Sequence, residues 1–269
     1  MPQTELPSNL VANRTKLWTS KHFRRRFLPL IPAVVLAVVW EWYTRAFPVE
    51  LVPTFSDTAK AWLIVTFSLE FWSSLLLTGE AFLYGWILSS VLGVLLGFLL
   101  GLFPSASKVA DPYLDIAISV PVAAAIPLIV IIFGLTKWAQ VAVIFLFAFP
   151  FVVVNAMQAV KGVSKSLIQM GQSYGCNFWQ LLRRIIIPGG TPTIMAGVRL
   201  GTARCLVGMI TVELILITRG LGNLVMKYNS TFRTDLLFAL VIDLLLLGAA
   251  VFYLVQWIES SMTRWKQSG

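Results

Sequence analysis

Long apolar runs alternate with short polar stretches along this chain. Six runs, near 27–47, 80–103, 112–133, 138–160, 193–216 and 235–258, are each long enough to cross about 30 Å of hydrocarbon as a helix. The pattern therefore predicts an all-α membrane protein with about six transmembrane helices. Between the first two runs, 48–77 starts at a proline and continues apolar and aromatic around Glu70. It is read as an interfacial helix on the outer surface leading into the second span, not as a seventh crossing. Within that span Gly85, Ser89, Gly93, Gly97 and Gly101 recur every fourth residue, making a smooth ridge that a second backbone can approach closely. No internal repeat is visible.

One polar stretch, 164–188, breaks the pattern, lying between apolar runs yet too polar to span. It reads as two short helices hinged at Gly175. Ser166 with Gln169, and then Asn177 with Gln180, have the spacing of capping boxes. Phe178, Leu181, Leu182 and Ile185 fall on one helical stripe, with Arg183 and Arg184 off it.

Composition agrees with the pattern: 58% of residues are hydrophobic and 12% charged, where soluble domains carry about 25% charged residues. The net charge of +9 does not indicate nucleic acid, because the basic residues do not share a soluble face. Arg14, Lys16, Lys21, Arg24, Arg25 and Arg26 crowd a tail ahead of the first apolar run, which predicts a retained cytoplasmic anchor. Alternation then places Lys108, the stretch from Lys161 to Arg184, and Arg264 with Lys266 on the same side. Arg45, Lys60, Lys137, Arg219, Lys227 and Arg233 fall on the other. The expected organisation is a cytoplasmic tail over 1–26, a transmembrane domain over 27–258 containing the 164–188 loop, and a cytoplasmic tail over 259–269. Cys176 and Cys205 are too far apart in depth to form a disulfide.

Proline and charge inside the apolar runs mark candidate chemistry. Pro121 and Pro127 in the third run and Pro150 in the fourth are expected to interrupt their helices, which places those stretches against other helices or a pathway. Arg199, Arg204 and Glu213 in the fifth run, Asp115 in the third and Asp243 in the sixth are costly in lipid. Two readings stand side by side: internal ion pairing, for instance an arginine of the fifth run with Asp115 or Asp243, or a place along a solute pathway. Glu80, Asp235 and Glu259, nearer the ends of runs, are expected to be solvated.

The 164–188 stretch resembles the EAA loop of ATP-binding-cassette importer permeases. Gln169, Met170 and Gly171 stand at its Glu-Ala-Ala positions, Gly175 at its glycine, and Ile185, Ile187 and Pro188 at its Ile-x-Leu-Pro. Gln169 lacks the usual charge, and Met170 replaces a small residue. Together with PLIVIIFG, GVRLG, TVEL and GLGNL, the loop makes most of the chain, roughly 70–258, resemble the nitrate, sulfonate and taurine branch of these permeases. The resemblance implies a type I importer permease fold in a bacterial inner membrane, with both termini cytoplasmic. It implies a coupling helix seated in a groove of a separate ATPase, with Arg183 on the basic face of that loop. It also implies a pair of permease chains, two ATPase subunits carrying ATP and magnesium, and a substrate-binding protein outside. Arg199 and Glu213 match family positions. A small anion such as nitrate, a sulfonate or bicarbonate is the expected solute, with an uncharged heterocycle or vitamin precursor as the alternative.

Several classes lack their residues. No GxxxxGK[ST] phosphate loop is present, so ATP must act on another chain. The single histidine, His22, lies in the basic tail, and no Cys, His and carboxylate cluster has metal-ligand spacing. An enzyme role is not expected. An ATP-independent carrier or channel, or a membrane scaffold, remains as a rival; carriers are usually built from repeated halves in one chain, and this chain shows none.

Overall fold

A computed structural model describes residues 30–47, 51–216 and 220–262. The basic tail with His22, and Pro48, Arg219, Arg264 and Lys266, lie outside the described residues. The described chain is helical, with no strand. In order it forms α1 (Leu30–Ala46), α2 (Phe55–Thr66), α3 (Leu69–Leu102), α4 (Pro104–Ser119), a 3-10 turn (Val122–Ala125), α5 (Ile126–Phe133) and α6 (Lys137–Lys161). There follow α7 (Lys165–Ser173), α8 (Phe178–Leu181), a π-helical turn (Leu182–Ile186), α9 (Ile187–Leu216), α10 (Leu221–Ser230) and α11 (Thr234–Met262).

α6 is the axis of the bundle. Its most apolar window is 56% buried, against 22% for those of α3 and α11. The small-residue ridge of α3 lies on it: a Cβ at Gly85 would fall 2.6 Å from Ile144, at Gly93 2.8 Å from Val152, and at Gly101 2.6 Å from Val160. Rising numbers on α3 meet rising numbers on α6, so the two helices run parallel. α9 covers another side of α6 with glycines of its own, Gly190 against Ala159, Gly201 against Val152 and Gly208 against Phe147. Here the numbers run in opposite senses and the helices are antiparallel. Glycine lets both backbones close on α6 where any side chain would hold them apart.

The run at 112–133 is a broken helix. α4 and the stretch from the 3-10 turn through α5 meet at an angle of 84°. Val120 and Pro121 are extended there, and Pro127 sits in the first turn of α5, where a missing N–H is harmless. Asp111 of α4 pairs with Lys161 at the C-terminal end of α6 (3.5 Å), whereas Ile126 and Ile129 pack in a core with Ala139 and Val143 near its N-terminal end. The broken helix thus passes from one end of the bundle to the other and is a crossing.

Three expectations change. Pro150 does not interrupt the fourth run: it is buried inside α6, which continues from Lys137 to Lys161. Packing by α3 and α9 supports the helix across the hydrogen bond that the proline cannot make. The second crossing begins at Leu69, where Ser68 Oγ caps it by accepting from Phe71 N (3.1 Å). The 48–77 stretch therefore does not form one interfacial helix; α2 is separate and packs Ala61 and Val65 against Ala239 and Leu240 of α11. The fifth helix starts at Ile187, before the apolar run that announced it.

Candidate functional site

At the end of the bundle where α6 stops, α7 and α8 form a hairpin, and this is called the hairpin end below. Gly175 turns the chain with φ of +73°, a conformation that glycine adopts without steric cost. Gly175 N donates to Gln172 O (2.9 Å) and Cys176 N to Gly171 O (3.0 Å), the bond pair of a Schellman motif. Asn177 and Gln180 form the expected capping box, each side chain accepting from the other's backbone N–H (2.8 and 2.9 Å). The other expected box is absent. α7 starts after Ser164 without a side-chain cap, because the Ser166 hydroxyl is 2.7 Å from that of Ser164.

The hairpin has an inner and an outer face. Gly171 is buried, and a Cβ there would lie 2.7 Å from Ile185 Cδ1 and 3.2 Å from Leu181 Cδ1. Leu181, Ile186, Val160 and Val163 form a small core, with Ile185 and Cys176 packed against it. Gly171 and Ile185 thus hold the hairpin together and are not on its outer surface. Outward stand Gln169, Met170, Arg183 and Arg184, with Leu167, Tyr174, Phe178 and Trp179, of which Tyr174 is 84% and Trp179 73% exposed. Exposed together at the turn, these apolar side chains form a surface patch. The π turn Leu182–Ile186 carries α8 into α9 without a break, and Pro188 lies in the first turn of that helix. Ile187 is exposed beside it. The hairpin is thereby continuous with α9.

The charged residues inside the bundle separate into distinct sets. Arg199 on α9 pairs with Glu259 on α11 (3.1 Å), so Glu259 is not merely solvated, and neither Asp115 nor Asp243 is the arginine's partner. Glu80 and Asp235 do have partners, Lys137 (2.7 Å) and Arg233 (3.0 Å). Asp243 is buried and accepts from Trp62 Nε1 (2.6 Å) and Thr66 Oγ1 (3.1 Å), which fixes α2 to α11. Glu213 is buried at the far end. It accepts from the Thr78 hydroxyl and from Gly222 N (3.0 Å), while Thr78 Oγ1 accepts from Leu221 N (3.0 Å). The GLGNL segment owes its glycines to Glu213: Gly220 has φ of +80°, and a Cβ on it would come within 2.6 Å of Glu213 Oε1, while a Cβ on Gly222 would lie 2.5 Å from the Glu213 carbonyl oxygen. Asp115 is exposed on α4. Arg204 is exposed on α9, its guanidinium 4.2 Å from the centre of the Phe151 ring. Thr78, Trp62, Thr66 and Phe151 were not expected from sequence. Thr78 falls between the 48–77 stretch and the second run at 80–103, and the others pair across distances that no local pattern encodes.

The clefts between α3, α5 and α6 (Leu88, Leu92, Phe133, Trp138) and between α3, α9, α10 and α11 are apolar and hold no charged side chain. Among the described residues no group of His, Cys, Asp and Glu could hold a metal ion.

Comparison with known proteins places this architecture. Residues 89–264 match the family model for binding-protein-dependent transport system inner membrane components. The chain is 30% identical over 173 residues to the taurine transport system permease protein of Escherichia coli (strain K12), a stretch covering 64% of this chain and 63% of that protein. It is 26% identical over 251 residues to a putative aliphatic sulfonates transport permease protein of Bacillus subtilis (strain 168), covering 89% of this chain and 87% of that one. With the riboflavin transport system permease protein of Chloroflexus aurantiacus it shares 32% over 157 residues, 58% of this chain and 59% of that one. Its fold is similar to a chain of the methionine ABC transporter in an inward-facing conformation, with TM-score 0.53 and 19% identity, covering 72% of this chain and 93% of the other.

Proposed function

The chain belongs to the family of binding-protein-dependent transport system inner membrane components, and from that premise we propose that it is the permease subunit of an ATP-driven importer for small sulfonate-type anions. One observation carries the reading: a hairpin with an exposed apolar outer face, Leu167, Met170, Tyr174, Phe178 and Trp179, runs without a break into α9. A surface of this kind suits the groove of an ATPase subunit. Gln169, Met170 and Arg183 would meet the ATPase directly. Gly171, Gly175 and Ile185 would keep the hairpin in shape, and Ile187 and Pro188 would pass its motion to the bundle. ATP and magnesium would be held by two such ATPases, with nothing bound on this chain. Two copies of the chain would enclose one pathway, and the broken helix α4–α5 with α9 would line it.

In this reading the hairpin and both termini face the cytoplasm of a bacterium, and the end holding Glu213 receives solute from a binding protein outside. The charge asymmetry supports that orientation, since the hairpin end carries Lys108, Lys161, Lys165, Arg183 and Arg184. Sulfonates are favoured as solutes because the sulfonate permease aligns over 89% of this chain, whereas the riboflavin permease aligns over 58%.

The test is uptake by vesicles containing the chain, its ATPase and the binding protein, with taurine, ethanesulfonate and riboflavin offered in turn. ATP-dependent accumulation of a sulfonate is the expected result. Accumulation of riboflavin alone would move the solute class to heterocycles, and ATP-independent uptake would return the chain to the carriers. A cysteine at Lys165 labelled by an impermeant reagent from outside intact cells would reverse the orientation.

A further inference from the structure

We propose that Arg204 is where this chain holds the sulfonate group of its solute midway through the membrane, an inference that rests on the importer reading above. The fold leaves one stripe of α9 uncovered. Leu200, Val207 and Leu214 are 41%, 50% and 45% exposed, and Arg204 is exposed between them; the spacing puts all four on one helical face. The depth of that face follows from the seam with α6. Gly201 and Gly208, on either side of Arg204, meet Val152 and Phe147, so the arginine stands near the middle of a helix running from Lys137 to Lys161.

A cation at that depth is costly in lipid and needs either water or a counter-charge. Three carboxylates of the bundle are engaged elsewhere: Glu259 with Arg199, Glu213 with Thr78 and Gly222, and Asp243 with Trp62 and Thr66. Asp115 is exposed on α4 and does not pair with Arg204. Among the described residues, Arg204 has no acidic partner, which distinguishes it from Arg199 five residues earlier. Its planar head lies over the Phe151 ring. That contact holds the guanidinium by one face and leaves its N–H edge free for the bidentate recognition of an oxyanion. A sulfonate, with one negative charge shared by three oxygens, matches that edge. Arg199, already neutralised, fastens α9 to α11 and does not meet the solute.

The experiment uses the full importer complex with Cys176→Ser and Cys205→Ala, and a single new cysteine, Val207→Cys, one turn from Arg204. Its reaction rates with an anionic sulfonate-bearing thiosulfonate reagent and with a cationic trimethylammonium one are compared. The anionic reagent is expected to be preferred. The preference should fall about tenfold in Arg204→Gln, the effect of a unit charge some 6 Å away in water, and persist in Arg204→Lys. ATP-driven ethanesulfonate uptake should fall in Arg204→Gln while ATP hydrolysis continues. A preference unchanged by Arg204→Gln, no reaction with either reagent, or wild-type uptake in that variant would each overturn the proposal. So would a rise in preference with Asp115→Asn, which would mean that Arg204 pairs with the same aspartate of a second copy. If the wild-type complex shows no ATP-driven uptake, the importer reading fails on that count, while the labelling ratio still reports whether Arg204 attracts an anion from water.

Discussion

The seam between α3, α6 and α9 and the hairpin at its end both depend on glycine, for opposite reasons. In the seam the glycines have ordinary helical backbone and no room: a Cβ on Gly93 would lie 2.8 Å from Val152. At Gly175 nothing lies within 4 Å of the same position, but φ is +73°. The seam therefore forbids volume and tolerates no change of shape, whereas the hairpin forbids a conformation and leaves space around itself. A rigid bundle carrying an open, shape-defined hairpin is what a machine needs if force enters at the hairpin and is passed to the bundle whole.

The largest effect should come from adding volume to the seam. Gly93→Leu should remove most of the folded, membrane-inserted protein, because neither backbone can give way and the penalty exceeds the ~1–3 kcal/mol of ordinary overpacking. Yield after detergent extraction, followed by size-exclusion chromatography, reads this directly; a monodisperse Gly93→Leu variant at wild-type yield would show the seam to be looser than described. Next comes the polar lock at the far end. Thr78→Val takes one donor from the buried Glu213 and leaves Leu221 N unpaired, and should cost about 1–3 kcal/mol, seen as a lower thermal midpoint of the purified complex.

Smaller again is the hairpin. Gly175→Val should add about 1–2 kcal/mol of backbone strain and lower ATP-driven uptake with the yield unchanged, while Gly175→Asn, which enters the same backbone region more readily, should retain most of it. If the two variants behaved alike, the conformation at residue 175 would not be the controlling feature. The smallest effect is expected at the exposed pair of Lys227 and Glu70, 2.6 Å apart on the far end. Glu70 raises the Lys227 ammonium above its ordinary value of 10.5. Lys227 therefore keeps its charge at neutral pH, and its contribution is lost as pH rises through the raised value. Glu70→Gln should leave the thermal midpoint at neutral pH unchanged.

The same contrast governs what could be read from sequence. The α3 ridge was legible because its five small residues share one register, and the Gly175 hinge because glycine stands between two capping signals. The comparable set on α9, Gly197, Gly201 and Gly208, has nearly the same spacing and went unread beside the louder charges of that helix. Other features had no local signature. Arg199 finds Glu259 sixty residues later, and Glu213 is held by Thr78 from a helix whose start is marked only by the Ser68 cap. Pro150 looks like a helix breaker by itself, and only its enclosure by two neighbours explains why the helix continues. The outward residues of the hairpin could be assigned to a loop, but the division into inner Gly171 and Ile185 and outer Met170 and Trp179 needed the folded turn.

The central claim is that the outer face of the hairpin seats an ATPase, and copurification of the ATPase subunit with the tagged full chain tests it most directly. Wild-type chain should retain the ATPase, and Met170→Asp, a charge placed at a side chain 51% exposed, should lose it while keeping the elution profile of the folded protein. An ATPase that never copurifies with the wild type, or that stays fully bound to Met170→Asp, would contradict the account.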